Sequence, residues 1–130
     1  MKKLRNLILL ATLLVLTSLA GCAKLPMENE PPSAPVLTSD GIVGPFGVEI
    51  SVLVDDPDGD MVTLQIQATP ASGVPQTFSW TSFFVSGQEE VFLLNLNPVG
   101  SWILTAKARD EIDEESASST TNLTVALPRP

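Results

Sequence analysis

The sequence predicts an all-β fold, a seven-stranded antiparallel β-sandwich that follows an amino-terminal targeting segment. From Pro35 onward apolar and polar residues alternate with a period of two, which is typical of strands with one buried and one solvated face. Glycine, proline, aspartate and serine interrupt this alternation about every ten residues, as turns between short strands do. No segment after the targeting segment has the apolar period of an amphipathic helix, so we expect two packed sheets and no helix.

Seven strands follow from this alternation. They are predicted at approximately residues 36–39, 46–54, 61–68, 77–86, 89–96, 100–109 and 116–127. The inner face of the second strand is predicted to begin with Phe46, which has the parity of the apolar series. In the fourth strand Phe78 and Trp80 share one parity, whereas Phe83 and Val85 share the other. A bulge or a change of sheet is therefore expected between the two pairs.

Residues 1–21 have the layout of a secretory signal peptide. Lys2, Lys3 and Arg5 give a basic start, residues 7–20 are mostly apolar, and small residues follow at the end of the run. The apolar run is shorter than the roughly 20 residues that a membrane-spanning helix needs. We therefore predict that the segment is cleaved and takes no part in the fold.

Residues 19–22, Leu-Ala-Gly-Cys, resemble the lipobox of bacterial lipoproteins at all four positions. The resemblance implies that Cys22 receives a diacylglyceryl group, that the signal is cut before it, and that the new amine is acylated. Two or three acyl chains attach a protein stably, whereas one chain binds only marginally. We therefore expect a lipid anchor in the cell envelope, outside the cytoplasm. Ala23 replaces the aspartate associated with inner-membrane retention, which favours the outer membrane or the cell surface.

The chain after the signal has room for one domain. Removal of residues 1–21 leaves 109 residues, of which residues 22–35 are rich in proline and charge and are predicted to form a tether. If extended, the tether reaches roughly 40 Å. Residues 36–127 then form the sandwich. Cys22 is the only cysteine, so the domain folds without a disulfide.

Negative charge dominates the processed chain. Loss of the signal leaves four basic and fifteen acidic side chains, a balance of −11. Such a surface does not suit the phosphate backbone of nucleic acid, and it is repelled by anionic lipid, so membrane attachment is expected to depend on the lipid at Cys22.

Several segments of the domain resemble the PKD-type, immunoglobulin-like modules of prokaryotic surface proteins. They are residues 54–60 (Val-Asp-Asp-Pro-Asp-Gly-Asp), 80–83 (Trp-Thr-Ser-Phe), 86–87, 100–104 (Gly-Ser-Trp-Ile-Leu), 106–110 (Ala-Lys-Ala-Arg-Asp) and 115–116. Fibronectin type III modules carry a similar series. Residues 69–73 depart from the PKD pattern, which has a Gly-Asp-Gly turn there, and Trp102 stands in place of its tyrosine. The resemblance implies an immunoglobulin-like sandwich.

Two acidic loops are expected at one end of such a sandwich, because the loops after its second and sixth strands emerge together. We name residues 55–60 and 110–115 the acidic tip. Calcium takes six to eight oxygen ligands. The candidate ligands are Asp55, Asp56, Asp58, Asp60, Asp110 and Asp113. Their spacing is not that of an EF-hand. The alternative is a tight turn at residues 57–59 with acidic loops that keep the domain soluble. The sequence leaves both interpretations open.

Apolar residues on the outer side of the sandwich predict a partner surface. Val91 and Leu93 are expected to point outward beside Leu53, unless a loop or the tether covers them. Trp80 and Phe83 are predicted to close the core, which leaves Phe84 as the exposed ring of that segment. The alternative is that Trp80, Phe83 and Phe84, which lie in one short stretch, present a stacking platform for a glycan, with Trp80 and Phe84 as the binding rings.

These features predict a non-enzymatic protein of the cell envelope that presents its domain for binding, adhesion or scaffolding. The chain has no histidine and no tyrosine, and the acylated Cys22 is no nucleophile, so catalysis is not expected. No cofactor other than calcium is expected. The expected partners are the membrane, through the lipid, and a protein or glycan. Two alternatives are a carbohydrate-binding module and a structural spacer without a ligand.

Overall fold

The computed structural model describes residues 28–130, so the signal peptide, Cys22 and the first part of the tether lie outside it. This part of the chain forms nine strands. They are β1 (Val36–Thr38), β2 (Val43–Gly44), β3 (Gly47–Leu53), β4 (Met61–Pro70), β5 (Gln76–Phe78), β6 (Phe84–Val85), β7 (Glu89–Leu94), β8 (Gly100–Asp110) and β9 (Ser119–Val125). Within these residues there is no helix of the length and apolarity that crossing a membrane requires.

The strands form two antiparallel sheets. In the first sheet β7 runs along one side of β3, while β1 and β2 follow one another along the other side. In the second sheet the order is β5, β4, β8 and β9, and β6 also pairs with β4. This arrangement confirms the all-β, immunoglobulin-like sandwich. Nine strands replace the seven expected because β2 and the division of the fourth strand add two short ones.

Alternate residues of both sheets fill the space between them, as the period of two predicts. The buried apolar side chains are Leu37, Val48, Ile50, Val52, Val54, Val62, Leu64, Ile66, Ala68, Phe84, Leu94, Leu96, Trp102, Leu104, Ala106, Ala108, Leu123 and Val125. Trp102 is the largest, and its Nε1 donates a hydrogen bond of 2.9 Å to the Pro98 carbonyl oxygen. The bond satisfies the one polar atom that this side chain carries into the interior.

The prediction for Phe46 was wrong. Strand β3 begins at Gly47, and Phe46 lies in the turn after β2, where its side chain is exposed. Gly47 has a φ of 131°, and a Cβ there would meet the Leu94 carbonyl oxygen at 2.7 Å. The chain can pass this close to β7 only without a side chain, and the tight turn carries Phe46 out of the alternation.

The segment predicted as the fourth strand is divided, as its phase shift indicated. Both parts pair with β4, Phe78 opposite Ile66 and Phe84 opposite Val62. Between them the chain leaves the strand pairing and contacts β4 through Thr81. Its N–H donates to the Leu64 carbonyl oxygen, its carbonyl oxygen accepts from Thr63 Oγ1, and its Oγ1 accepts from the Leu64 N–H. The phase shift therefore comes from an excursion within one sheet and not from a change of sheet.

The second half of the predicted tether lies against the domain. The Ser33 N–H donates to the Asp55 carbonyl oxygen at 2.8 Å, and the Asp55 N–H donates to the Ser33 Oγ at 3.0 Å. Pro32 and Pro35 are buried. The chain therefore enters the domain beside the β3–β4 loop.

Candidate functional site

The acidic tip is built around two buried aspartates, one in each loop. Asp56 lies between β3 and β4, and Asp110 is the last residue of β8. Each folds its own loop in the same way, because its Oδ1 accepts hydrogen bonds from N–H groups two and four residues further along. Aspartate is suited to this role since its short side chain reaches nearby backbone donors.

In the first loop, Asp56 Oδ1 accepts from the Asp58 N–H at 2.9 Å and from the Asp60 N–H at 3.2 Å. The Gly59 N–H donates to the Asp56 carbonyl oxygen, and Gly59 has a φ of 77°. This is a tight turn at the position where residues 57–59 predicted one. Asp56 is only 5% exposed, and its Oδ2 is buried without a hydrogen-bond partner.

In the second loop, Asp110 Oδ1 accepts from the Ile112 N–H and the Glu114 N–H, both at 2.9 Å. Its Oδ2 accepts a hydrogen bond of 2.7 Å from Asn29 Nδ2 of the tether. The neighbouring Glu30 N–H donates to Asp58 Oδ2, also at 2.7 Å. The tether is therefore bound to both loops of the acidic tip.

Negative charge is concentrated around Asp60. Partial desolvation raises the pKa of the Asp60 carboxyl above its ordinary value of 3.8, and nearby carboxylates raise it further. In decreasing order of effect these are Asp56, Glu111, Asp58 and Asp110. The two loops therefore share one electrostatic environment, as their convergence predicted.

The six residues predicted as calcium ligands do not form one group. Asp56 and Asp110 organise their loops, Asp58 binds the tether, and Asp113 forms an ion pair of 3.3 Å with Arg109. Asp55 is exposed in the loop that follows β3. Within residues 28–130, no three side chains of histidine, cysteine, aspartate or glutamate are arranged to hold a metal ion. The calcium site stays a prediction, and Cys22 lies outside the described residues.

The outer side of the first sheet carries a group of exposed apolar side chains. Val91 and Leu93 of β7 are 53% and 52% exposed, and Leu53 of β3 and Val36 of β1 are similarly open. They lie on the same side of the sheet, with Val36 opposite Leu53, Val91 opposite Ser51 and so diagonal to Leu53, and Leu93 opposite Glu49 at the far end. We call these four residues the apolar outer face. In residues 28–130 neither a loop nor the tether covers them.

Phe84 does not belong to this surface, and its predicted exposure was wrong. The ring is 8% exposed and packs edge-on against Phe92, with 5.7 Å between ring centroids. Phe84 pairs with Val62, whose side chain points into the core, and so takes the same side. Phe83 is the exposed ring, at 46%. The assignment was reversed because the excursion at residues 79–83 shifts the alternation by one residue.

The Trp80 ring contacts two basic side chains on the outer side of the second sheet. The Arg109 guanidinium lies 4.4 Å and the Lys107 Nζ 5.4 Å from its ring centroid. The two cations are also paired with Asp113 and Glu115. Such contacts hold the ring by cation–π attraction. Because Phe84 is buried, a glycan platform cannot include it. Trp80 is half-buried on the sheet and does not belong to the core, contrary to the prediction.

The comparisons with known proteins concern the fold. No protein-family model and no curated protein matches the chain. The PKD domain of an M14-like peptidase from Thermoplasmatales archaeon SCGC AB-540-F20 superposes with a TM-score of 0.57 and 27% identity, over 75% of this chain and 98% of that one. The fold is PKD-like.

Two further solved structures superpose on this chain. The superoxide reductase (neelaredoxin) of Ignicoccus hospitalis has a TM-score of 0.52 at 12% identity, over 74% of this chain and 82% of that one. At this identity the likeness concerns the fold alone. The fibronectin type III domain of human fibronectin type III domain containing protein 3 has a TM-score of 0.45 at 13% identity, over 80% of this chain and 94% of that one.

Sequence reasoning missed two residues of these surfaces. Asn29 reaches the acidic tip through a contact across the fold, and no local pattern marks it. Arg109 could have been found, because it shares the outward parity of Lys107 on a strand beside the Trp80 segment.

Proposed function

We propose that this chain is a lipid-anchored protein of the cell envelope whose PKD-like domain is a non-enzymatic binding module. The lipid at Cys22 holds it outside the cytoplasm, and the domain offers the side of its sandwich to a partner. The observation that carries the binding role is the apolar outer face, because a soluble domain seldom leaves four neighbouring apolar side chains exposed on one sheet without a partner.

The path of the tether supports this choice of surface. Asn29 and Glu30 are bound to the acidic tip, so a chain anchored at Cys22 holds that tip toward the membrane. Residues 23–28 would then span about 19 Å at most. The tip is the end of the domain nearest the lipid, whereas the apolar outer face on the side of the sandwich stays accessible.

Two features of the chain support a non-enzymatic role. The sequence has no histidine or tyrosine. The carboxylates of Asp56, Asp58 and Asp110 accept hydrogen bonds from backbone donors and from the tether, which gives them a role in holding the loops.

The anchoring is tested by expressing the full chain in a bacterial host and measuring the mass of its amino-terminal peptide. We expect a mature chain that begins at Cys22 and carries acyl groups, and that enters the detergent phase. Cys22→Ser should lose the lipid mass and the detergent partition. The matched control is Ser18→Ala, which leaves the four lipobox residues intact and should be processed normally. A wild-type chain cut elsewhere and free of lipid would contradict the anchor.

The binding role is tested separately from the anchoring. Capture of envelope partners is measured by crosslinking in the expressing cells. The full-length Leu93→Lys variant should lose this capture, whereas Ile103→Lys, on the other sheet, should retain it. Equal capture by both variants would show that the apolar outer face is not the binding surface, and no capture even by the unmutated protein would leave a spacer without a ligand.

A further inference from the structure

Strand β7 is an open edge of the first sheet. Within residues 28–130 it pairs only with β3, from Leu53 opposite Glu89 to Val48 opposite Leu94. Glu90 lies on the inward side, opposite Val52, and is nevertheless exposed. The sandwich is therefore open beside β7, and the outer backbone groups of this strand face solvent.

The other edges of the sandwich are short, polar or covered. Strands β1 and β5 have three residues each, and β6 has two. Strand β9 has seven residues, mostly serine, threonine and asparagine, and its end is bridged where the Val43 N–H donates to the Ala126 carbonyl oxygen at 2.9 Å. By contrast, β7 has six residues in continuous register without proline, lysine or a bulge. Of the devices that protect an edge it carries only charge, at Glu89 and at the inward-side Glu90, and both lie at its start, which leaves residues 91–94 open.

The side chains next to this edge are suited to an added strand. Val91 and Leu93 point to the outer side of the sheet, opposite Ser51 and Glu49, so apolar side chains of a further strand would extend the apolar outer face. In β-augmentation the main chain supplies the hydrogen bonds, and alternate side chains supply the specificity. An extended segment with apolar residues at every second position meets both requirements.

The charges around β7 indicate which kind of extended segment would bind there. Glu89 and Glu90 begin the strand, and Glu49 lies opposite Leu93 on the outer side. Residues 28–130 have fifteen acidic and three basic side chains, so a second copy would bring further negative charge to this edge. Lysine or arginine in the partner would instead find opposite charge at both ends of β7.

We propose that an extended, basic segment of a partner protein binds as an additional strand along β7, with its apolar side chains on Val91 and Leu93. This inference rests on the proposed role as a binding module, for which it names the surface and the chemistry of the partner. It does not depend on the lipid anchor.

The test uses the full chain in a non-ionic detergent and a peptide of about eight residues in which valine alternates with lysine. Binding is measured by calorimetry, and the protection of the β7 amides by hydrogen exchange. Two control peptides have the same sequence with N-methyl groups on alternate backbone nitrogens, or with glutamate for lysine. The variants are Leu93→Lys and Val91→Lys, with Ile103→Lys as the matched change of charge at an exposed apolar residue of the other sheet.

We expect saturable binding that slows exchange of the β7 amides and is weakened roughly tenfold by the N-methyl groups or by Leu93→Lys. Ile103→Lys should change the affinity by less than about twofold. If Leu93→Lys does not fold, Val91→Lys decides. If Leu93→Lys and Ile103→Lys weakened peptide binding equally, charge alone would explain the binding, and the proposal would be overturned. The proposal would also be overturned if the peptide did not bind, or if sedimentation showed a dimer that Leu93→Lys dissociates. If the unmutated protein captured no partner in cells but still bound the peptide, the binding role in the envelope would be rejected but this edge would not.

Discussion

The two loops of the acidic tip are held by the same pattern of aspartate hydrogen bonds, but only one of the two carboxylates has both oxygens bonded. In each loop one buried aspartate accepts hydrogen bonds from the N–H groups two and four residues later. Asp110 also uses its second oxygen, for Asn29, whereas Asp56 Oδ2 is buried without a partner. The difference shows that one carboxylate is fully engaged in holding the fold together, while the other retains unsatisfied negative charge.

The first way to break this comparison is to remove each carboxylate. Asp110→Ala should lower the free energy of unfolding by roughly 2–4 kcal/mol, because three hydrogen bonds are lost and their donors stay partly buried. Asp56→Ala should cost less, about 1–3 kcal/mol, because it removes two bonds together with an unpaired oxygen. Urea unfolding of the two variants measures both values. A larger loss for Asp56→Ala would show that the unpaired oxygen has a partner in solution.

The tether contact is the difference between the loops and can be removed alone. Asn29→Ala should lower the free energy of unfolding by about 1 kcal/mol, since it leaves Asp110 Oδ2 without a donor. In a double-mutant cycle the effect should vanish when Asp110 is already alanine, and should persist in the Asp56→Ala background. An unchanged effect of Asn29→Ala in both backgrounds would place its contribution elsewhere.

The excess charge around Asp56 is tested at Asp60. Because the pKa of Asp60 is raised in the folded state, the folded protein binds this proton more tightly than the unfolded chain does. Stability is therefore lost as the pH rises from the ordinary value toward the raised pKa, and the ionised group destabilises the fold at neutral pH. Asp60→Asn should raise the melting temperature at pH 7 and have no effect at a pH well below 3.8. Asp40→Asn, outside the tip, is the control.

Cations provide the mildest test. Since residues 28–130 place no three carboxylates in a metal-holding arrangement, we expect calcium to act by screening the tip. Millimolar calcium should then raise the melting temperature slightly, and magnesium should do the same. A saturable rise specific to calcium and lost in both Asp56→Asn and Asp110→Asn would instead support the calcium site that the sequence suggested.

The sequence predicted the sandwich well because alternation reports burial directly. Val48, Ile50 and Val52 lie in the core as their parity indicates, and so do Leu64 and Trp102. It placed both acidic loops at one end, since their positions follow from strand order. Phe84 and Phe46 were misplaced for one reason. Each follows a turn or an excursion whose length in residues cannot be known from parity, and a shift of one residue exchanges inside and outside.

The roles of the acidic residues could be predicted only in part. Pro57, Asp58 and Gly59 indicated a tight turn, which is local chemistry and is present. That Asp110 would bind Asn29 could not be deduced, because these residues are 81 positions apart and the contact depends on where the tether lies. The open edge of β7 follows from the pairing of strands, which no single segment encodes.

The docking of the tether has a mechanical consequence under the proposed anchoring. A force applied between the lipid and a partner on β7 would enter the domain first through Asn29 and Glu30, and then through Ser33 and β1. Strand β1 pairs side by side with β3, so its hydrogen bonds would be stretched together rather than one after another. Residues 29–35 would act as a clamp that yields before β1 does, lengthening the reach of the protein while the core and the apolar outer face stay folded.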